Sequence, residues 1–408
     1  MHGDESGILL TGATGFLGGE VLARLLERGD RPVYALIRAE SDEAAAERLR
    51  GVIESLGLER SGGAERAVAI AGDVTEPLLG MDTRRRAALA ESTGRIIHCA
   101  ASVSFTLGLE ESRQINVAGT RRMLDLAEFC SRVGGGLDSF VHVSTAYVGG
   151  THPEPFRESD LQVGQEFRNA YEQSKFEAEL EVGRRSVTLP VQVLRPSIIV
   201  GDSRTGWTSS FNVIYGPLKA FDRGAYPVLP ARGSAPVDIV PVDFVADAIV
   251  ALAGRPRTTY NLTAGARAST VGEVVEMASA EAGRRPPRLV HPEIYRKAVH
   301  PLLVRTGSGA RRRALRRSEV YFPYFSMKGG FDAERTRAAL APYGIEPPPL
   351  RAYFDRLLAF ARAADWGRRP LARDEAAAAV ESPQPEPASR RPRRRVPPRV
   401  PAPSQWGR

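Results

Sequence analysis

The chain is short of cysteine, lysine and long apolar runs, and each shortage excludes something. Two cysteines among 408 residues, Cys99 and Cys130, are too few for a disulfide framework or a zinc site. No run of about 18 apolar residues occurs, so the sequence offers no transmembrane helix. The start, Met1-His2-Gly3-Asp4-Glu5-Ser6, is acidic and runs directly into an apolar segment, unlike a secretory signal peptide. The expectation is a cytoplasmic protein. Lysine is confined to Lys175, Lys219, Lys297 and Lys328, so nearly all the basic charge is arginine. Seven arginines crowd the last 19 residues: Arg390, Arg391, Arg393, Arg394, Arg395, Arg399 and Arg408. Without them the formal charge of +8 falls to +1. A body this close to neutral, with no basic face interleaved with aromatics, does not read as a nucleic-acid binder.

What is present is a globular balance, 42% apolar and 25% charged, long enough for two or three folding units. Short β-rich runs alternate with amphipathic stretches up to about residue 200. The runs are Gly7–Thr11, Val33–Arg38, Ala67–Gly72, Arg95–Cys99, Leu137–Ser144 and Pro190–Pro196, with helical periods near 16–28, 42–57, 109–131 and 168–186. That alternation predicts an α/β fold, a doubly wound parallel sheet of the Rossmann kind. Ligands in such sheets bind beyond the carboxyl ends of the strands, so function belongs to the turns after each run. Residues 1–205 read as this domain, with 236–265 returning to it. Residues 206–235 and 266–365 read as a smaller, mixed α/β substrate-binding region on its C-terminal side. From about 366 onward Ala, Pro, Arg and Glu dominate without an apolar period, which predicts a disordered tail.

Thr11-Gly12-Ala13-Thr14-Gly15-Phe16-Leu17-Gly18 follows the first strand and opens the first helix. Glycines there permit a tight turn and let backbone N–H groups approach a pyrophosphate at the helix N-terminus. The spacing is GxxGxxG, and its strand–turn–helix setting predicts dinucleotide binding. After the second strand stands Leu36-Ile37-Arg38, where NAD enzymes usually carry an acid for the ribose 2′-OH. A guanidinium instead suits a 2′-phosphate, which favours NADPH. Asp73 in Gly72-Asp73-Val74 is a candidate acceptor for an adenine amino group. Ala100 and Ala101 in His98-Cys99-Ala100-Ala101 are small where the backbone passes the cofactor. His98 and Cys99 themselves read as structural.

A tyrosine four residues before a lysine on one helix shares its face, and the ammonium can support the phenol as acid or base. Three pairs have this spacing: Tyr171/Lys175, Tyr215/Lys219 and Tyr324/Lys328. Pro217 lies inside the second pair, and Pro323 with Gly329-Gly330 brackets the third. Tyr171/Lys175 lies in a long helical stretch after a strand ending in Ser144-Thr145-Ala146-Tyr147, which offers a hydroxyl to a carbonyl oxygen.

These motifs resemble the extended short-chain dehydrogenase/reductases, most closely the fatty acyl-CoA reductases and the reductase domains that release thioester-bound acyl chains. Val143-Ser144-Thr145-Ala146-Tyr147-Val148, Arg195-Pro196-Ser197-Ile198, Gly201-Asp202-Ser203-Arg204-Thr205-Gly206, Val240–Asp247 and Asn116-Val117-Ala118-Gly119-Thr120 carry the resemblance alongside the loop and the Tyr/Lys pair. It covers residues 7–265 and fades beyond. It implies Thr145, Tyr171 and Lys175 as the catalytic set, with Ser144 the less favoured hydroxyl. It also implies a cofactor site made by Gly12, Thr14, Gly15, Phe16, Leu17, Gly18, Arg38, Asp73, Val74, Ala100, Ala101, Asn116, Tyr171, Lys175, Pro196, Ser197 and Ile198. The implied reaction is NADPH-dependent reduction of an acyl thioester, on coenzyme A or a carrier protein, to aldehyde or alcohol. Alternatives within the superfamily are a hydroxysteroid-type dehydrogenase and a nucleotide-sugar epimerase or dehydratase. The basic tail, together with Arg311–Arg317 and the apolar Val299–Val304, suggests an acidic acyl carrier protein or an anionic membrane surface as a partner.

Overall fold

Seven parallel strands form the central sheet of the computed structural model, which describes residues 6–381 except 60–61, 134, 225–227, 256, 296, 298–308 and 310–318. They are β1 (Gly7–Thr11), β2 (Val33–Ile37), β3 (Ala67–Ala71), β4 (Thr93–His98), β5 (Ser139–Val143), β6 (Val191–Pro196) and a late strand, Thr259–Leu262. Their order across the sheet is Thr259–Leu262, β6, β5, β4, β1, β2, β3. Every residue of β1 and β5 is buried, because both faces of the sheet are covered by helices. The strand order reverses between β1 and β4, and this crevice is where a doubly wound sheet receives its ligand.

Helices α1 (Phe16–Arg28) and α2 (Asp42–Ser55) cover one face, together with the helix Val242–Leu252. Helices α3 (Thr83–Ser92), α5 (Gly119–Arg132) and α6 (Ala170–Arg185) cover the other, and α5 is preceded by the short α4 (Leu109–Arg113). Local signals set the helix starts. Ser41 Oγ accepts the Ala44 N–H at 3.2 Å, and Asn169 Oδ1 accepts the Glu172 N–H at 3.0 Å. Between α4 and α5 the helix widens into a π-turn over Gln114–Ala118. Such turns displace side chains from the regular helical track, and this one carries Asn116.

A second, smaller assembly stands at the carboxyl ends of the strands. It contains α7 (Tyr215–Asp222), the helix Val271–Glu281, a parallel strand pair, Val228–Pro230 with Arg288–Val290, and the helix Phe354–Ala363. Thr270 and Glu273 form a reciprocal cap at the start of Val271–Glu281. The body extends further than the composition predicts. Trp366 and Ala376 are buried, and a helix spans Glu375–Glu381. Trp207 Nε1 donates to Leu371 O at 3.1 Å, and Arg373 pairs with Glu20 at 3.5 Å and Glu27 at 3.2 Å. The expected disordered tail from 366 is therefore corrected for 366–381. Isolated apolar side chains packing with the helix Phe354–Ala363, and Arg373 paired to α1, supply the burial that an internal period would have announced. The arginine-rich end, Arg311–Arg317 and Val299–Val304 lie outside the described residues.

Candidate active site

The loop after β1 makes a cradle that only glycine permits at two points. Gly12 sits at φ +77°, and a Cβ there would come 2.8 Å from Ala100 N. A Cβ on Gly18 would fall on Gly12 O. The start of α1 has Gly15 as its cap and no acid in its first turn, so the positive end of a 13-residue helix faces the crevice uncompensated. These features fit a dinucleotide pyrophosphate. The cleft beside them has a volume of about 390 Å³. Gly12, Gly15, Phe16, Leu17, Gly18, Ala101, Thr145, Tyr171, Lys175, Pro196, Ser197 and Ile198 all line it. The fold thus gathers residues from four separate turns and the helix α6 into one wall.

Other expected positions lie off that wall. Arg38 follows β2 and is exposed, and its carbonyl accepts from Arg48, which brings a second guanidinium beside it. Asp73 Oδ1 closes a turn by accepting from Thr75 N and Oγ1, both at 2.8 Å. Val74 packs where α5 begins, against the Gly119 position. Ala100 N donates to Thr11 Oγ1 at 3.1 Å, which holds the loop after β4 against the glycine turn. Thr14 is exposed at the tip of that turn. Asn116 is buried and fully engaged. Its Nδ2 donates to Ser102 O at 3.1 Å and Ser174 Oγ at 2.9 Å, and its Oδ1 accepts from Ser102 N at 2.8 Å. It ties the loop after β4 to the helix that bears Tyr171 and Lys175.

Tyr171 and Lys175 occupy the first turns of α6, and Thr145 follows β5. Burial pushes the Tyr171 phenol up to about 12, partly offset by its hydrogen bond with Thr145. The phenol thus keeps its proton throughout the physiological range. Burial lowers Lys175 to about 8, against the attraction of Glu179. Its Nζ donates to Val143 O at 2.8 Å, pinning the ammonium to the strand end that carries Thr145. In the free cleft its charge acts most visibly on the buried imidazoles behind it. His98 falls to about 3 through burial and then Lys175, and His142 also falls well below its usual value. Both are neutral. His98 Nδ1 is 2.8 Å from Thr11 Oγ1 and Nε2 is 3.2 Å from Thr120 Oγ1, a structural role. Burial lifts the Cys99 thiol to about 12, so it is no nucleophile.

Geometry separates the two adjacent hydroxyls. Ser144 Oγ donates to Glu179 Oε2 at 2.8 Å, and Glu179 in turn holds the buried Arg195, whose Nε donates to Oε1 at 2.9 Å. Ser144 is spent on this buried network. Apart from its hydrogen bond with the Tyr171 hydroxyl, Thr145 Oγ1 has only longer contacts, 3.3 Å to Pro196 O and 3.3 Å from Tyr147 N. It remains available to the cleft.

The other two Tyr/Lys pairs have different duties. Tyr215 opens α7 and its hydroxyl accepts the Gly201 N–H at 2.9 Å. Tyr324 donates to Glu172 Oε1 at 2.6 Å and accepts from Asn169 Nδ2 at 2.7 Å, so it is bound to the first turn of α6. Its ring meets Tyr147 edge-on at 5.4 Å and Phe105 at 5.5 Å. Tyr324 and Tyr147 line both the cleft and an adjoining apolar chamber of about 90 Å³. No described residue lining that chamber is charged. Tyr324, Glu172, Glu179 and Phe105 were not legible as site residues. The sole signal for Tyr324 was its spacing to Lys328, which says nothing of its bonds to Glu172 and Asn169.

Sheet order and glycine turn together define a Rossmann-type fold that binds a nicotinamide dinucleotide. The chain belongs to the male sterility protein family, whose model matches residues 10–249. It is 32% identical over 300 residues, 63% of its length, to fatty acyl-CoA reductase 1 from Mus musculus. It is also 32% identical over 267 residues to the nonribosomal peptide synthetase asaC of Aspergillus flavus, of which it covers 25%. The chain spans 58% of the length of the mouse relative. Among solved structures it is similar to the terminal R domain from the myxalamid PKS-NRPS pathway, with TM-score 0.75 and 28% identity, covering 91% of this chain and 94% of that one. The R domain of a nonribosomal peptide synthetase from Mycobacterium tuberculosis follows at TM-score 0.65 and 25% identity, covering 88% and 92%. UDP-glucuronic acid 4-epimerase from Bacillus cereus shares the fold at TM-score 0.59 and 18% identity.

Proposed function

We propose that this protein reduces acyl thioesters with NADPH, using Thr145, Tyr171 and Lys175. The observation that carries the reading is the apolar chamber that joins the Tyr171 cleft at Tyr147 and Tyr324: it suits an acyl chain, and its described lining offers no charged partner to the second diphosphate of a sugar nucleotide. The relatives named fatty acyl-CoA reductase and the similar R domains support the same chemistry.

The glycine turn and the start of α1 would hold the pyrophosphate, Lys175 would meet the ribose, and Arg38 with Arg48 would receive the 2′-phosphate. Bound NADPH supplies a hydride to the carbonyl carbon. Tyr171 donates its proton to the carbonyl oxygen as charge develops there, and Thr145 donates a second hydrogen bond. Positioned proton transfer of this kind is worth about 10²–10⁴-fold. The hemithioacetal then returns its hydroxyl proton to Tyr171 as the C–S bond breaks, releasing aldehyde and a thiol that takes its proton from water. Lys175 holds Tyr171 and the β5 end in register and keeps a positive charge below about pH 8. The test is loss of NADPH absorbance with a panel of acyl-CoA and acyl-pantetheine thioesters, with the product trapped and identified. Thioester-dependent oxidation of NADPH to yield aldehyde or alcohol is expected. Oxidation supported only by ketosteroids, or turnover of sugar nucleotides alone, overturns the proposal.

A further inference from the structure

Asp238 is a buried carboxylate with no part in the reaction derived above. It stands between two short strands, Pro236–Val237 and Ile239–Pro241. Its oxygens hold three donors from two other segments. Oδ1 accepts from Ser197 Oγ at 2.6 Å and from Ala264 N at 2.9 Å, and Oδ2 accepts from Gly265 N at 2.9 Å. Ser197 follows β6, whereas Ala264 and Gly265 follow the strand beside it, Thr259–Leu262. One carboxylate therefore ties together the carboxyl ends of two adjacent strands. The Asp238 backbone adds a further bond, its carbonyl accepting from Ile198 N at 3.2 Å. The residues held in this way belong to the cleft. Pro196, Ser197 and Ile198 line it, and Pro196 O accepts from Thr145 Oγ1 at 3.3 Å.

The Ser197 hydroxyl is committed to Asp238, so the place of Pro196–Ile198 in the cleft wall depends on that carboxylate. We propose that Asp238 is a positioning residue for the dinucleotide, setting the Pro196–Ile198 wall against which the cofactor binds. The inference rests on the cofactor part of the reading above and not on the identity of the substrate. It makes binding depend on the charge of Asp238. Burial pushes this carboxyl up to about 6, against its three hydrogen bonds, which lower it. Among the described residues no cation offsets the charge. The titratable groups that feel it are Tyr147 and Tyr353, and burial keeps both phenols neutral. Below about pH 6 the acid form of Asp238 prevails, and its O–H competes with an N–H. With the proton on Oδ1 the Ala264 N–H loses its acceptor; with the proton on Oδ2 the Gly265 N–H does. The clasp loosens either way.

The experiment titrates the full-length protein with NADP⁺ and with NAD⁺ by calorimetry between about pH 5 and pH 8. Wild type, Asp238→Asn, Ser197→Ala and the double variant are compared. Asp238→Asn keeps the shape of the side chain and, like the acid, offers one acceptor oxygen to two N–H groups. The readout is the ratio of variant to wild-type Kd, in which titration of the cofactor's own 2′-phosphate cancels. For Asp238→Asn the ratio is expected to be about 3–10 near pH 7.5 and to fall towards 1 near pH 5, where the wild type is itself protonated. Ser197→Ala is expected to give a similar ratio near pH 7.5. The double variant should lose no more than the worse single one, because the two side chains act through one bond. A mere packing defect raises the ratio equally at every pH, and independent defects add. A ratio near 1 for both single variants at neutral pH, an Asp238→Asn ratio that does not change with pH, or additive losses in the double variant overturns the inference. If the wild type binds NAD⁺ and not NADP⁺, the NADPH part of the proposed function fails, and the NAD⁺ ratio decides the inference by the same criterion.

Discussion

Removing a single oxygen from Tyr171 separates chemistry from structure. In Tyr171→Phe the ring is retained, so its packing against Phe105, with centroids 5.7 Å apart, is preserved. The hydroxyl it loses was bonded to Thr145, whose Oγ1 keeps Pro196 O and Tyr147 N as partners at 3.3 Å. No buried donor is orphaned, so the melting temperature should move by no more than about 1–2 °C. The transition state loses its proton donor. A fall in kcat of about 10²–10⁴-fold follows, equivalent to about 2.7–5.5 kcal/mol. NADPH affinity, measured by quenching of protein fluorescence, should stay within about twofold, because the phenol acts on the substrate oxygen. Tyr215→Phe is the contrast. It strips the Gly201 N–H of its 2.9 Å acceptor in a buried site, costing about 1–3 kcal/mol of stability with kcat retained. Tyr324→Phe likewise costs stability, because the buried Glu172 loses its 2.6 Å donor. Full turnover in Tyr171→Phe, or loss of kcat in folded Tyr215→Phe, would refute the assignment among the three pairs.

Five further outcomes follow from the same geometry. Lys175 is lowered to about 8 from the usual 10.5, so its ammonium is lost as pH rises through about 8, and kcat/KM for the free enzyme should fall there; a profile flat to pH 10 refutes a role for that charge. Between these two values the unfolded chain binds the extra proton, so the Lys175 contribution makes stability rise with pH across that window, as denaturant titrations of wild type and Lys175→Met would reveal. Arg38→Asp should weaken NADPH far more than NADH, since it removes a phosphate fork and adds repulsion; equal losses in binding titrations would sink the cofactor reading. A chain ending at Glu381 should keep the wild-type melting temperature and its rate on soluble acyl-CoA, and any salt-sensitive flotation on anionic vesicles should be lost with residues 382–408. Ending at Ala364 instead removes the buried Trp366 and the Arg373 pairs, for a loss of about 3 kcal/mol or more, roughly 4 °C; an unchanged melting temperature would show that the 366–381 segment contributes nothing.

The sequence by itself determined the elements whose causes are local. Alternating apolar runs and helical periods specify a covered parallel sheet, because each strand and each helix face must be buried somewhere. The glycine turn is legible for the same reason: Gly12 and Gly18 answer to backbone contacts within the strand–turn–helix unit and the strand beside it. Tyr171 and Lys175 sit one helical turn apart and declare their shared face. Tertiary structure decided whatever depends on residues distant in the chain. Ser144 and Thr145 are chemically interchangeable neighbours until Glu179, 35 positions away from Ser144, claims one of them. Tyr324 enters the site through hydrogen bonds to Glu172 and Asn169, across 152 and 155 positions, which no local spacing encodes. The segment from 366 to 381 has no apolar period of its own. It is ordered because Trp207, Glu20 and Glu27 offer it partners, and a partner supplied by the folded body cannot be read in the segment that receives it.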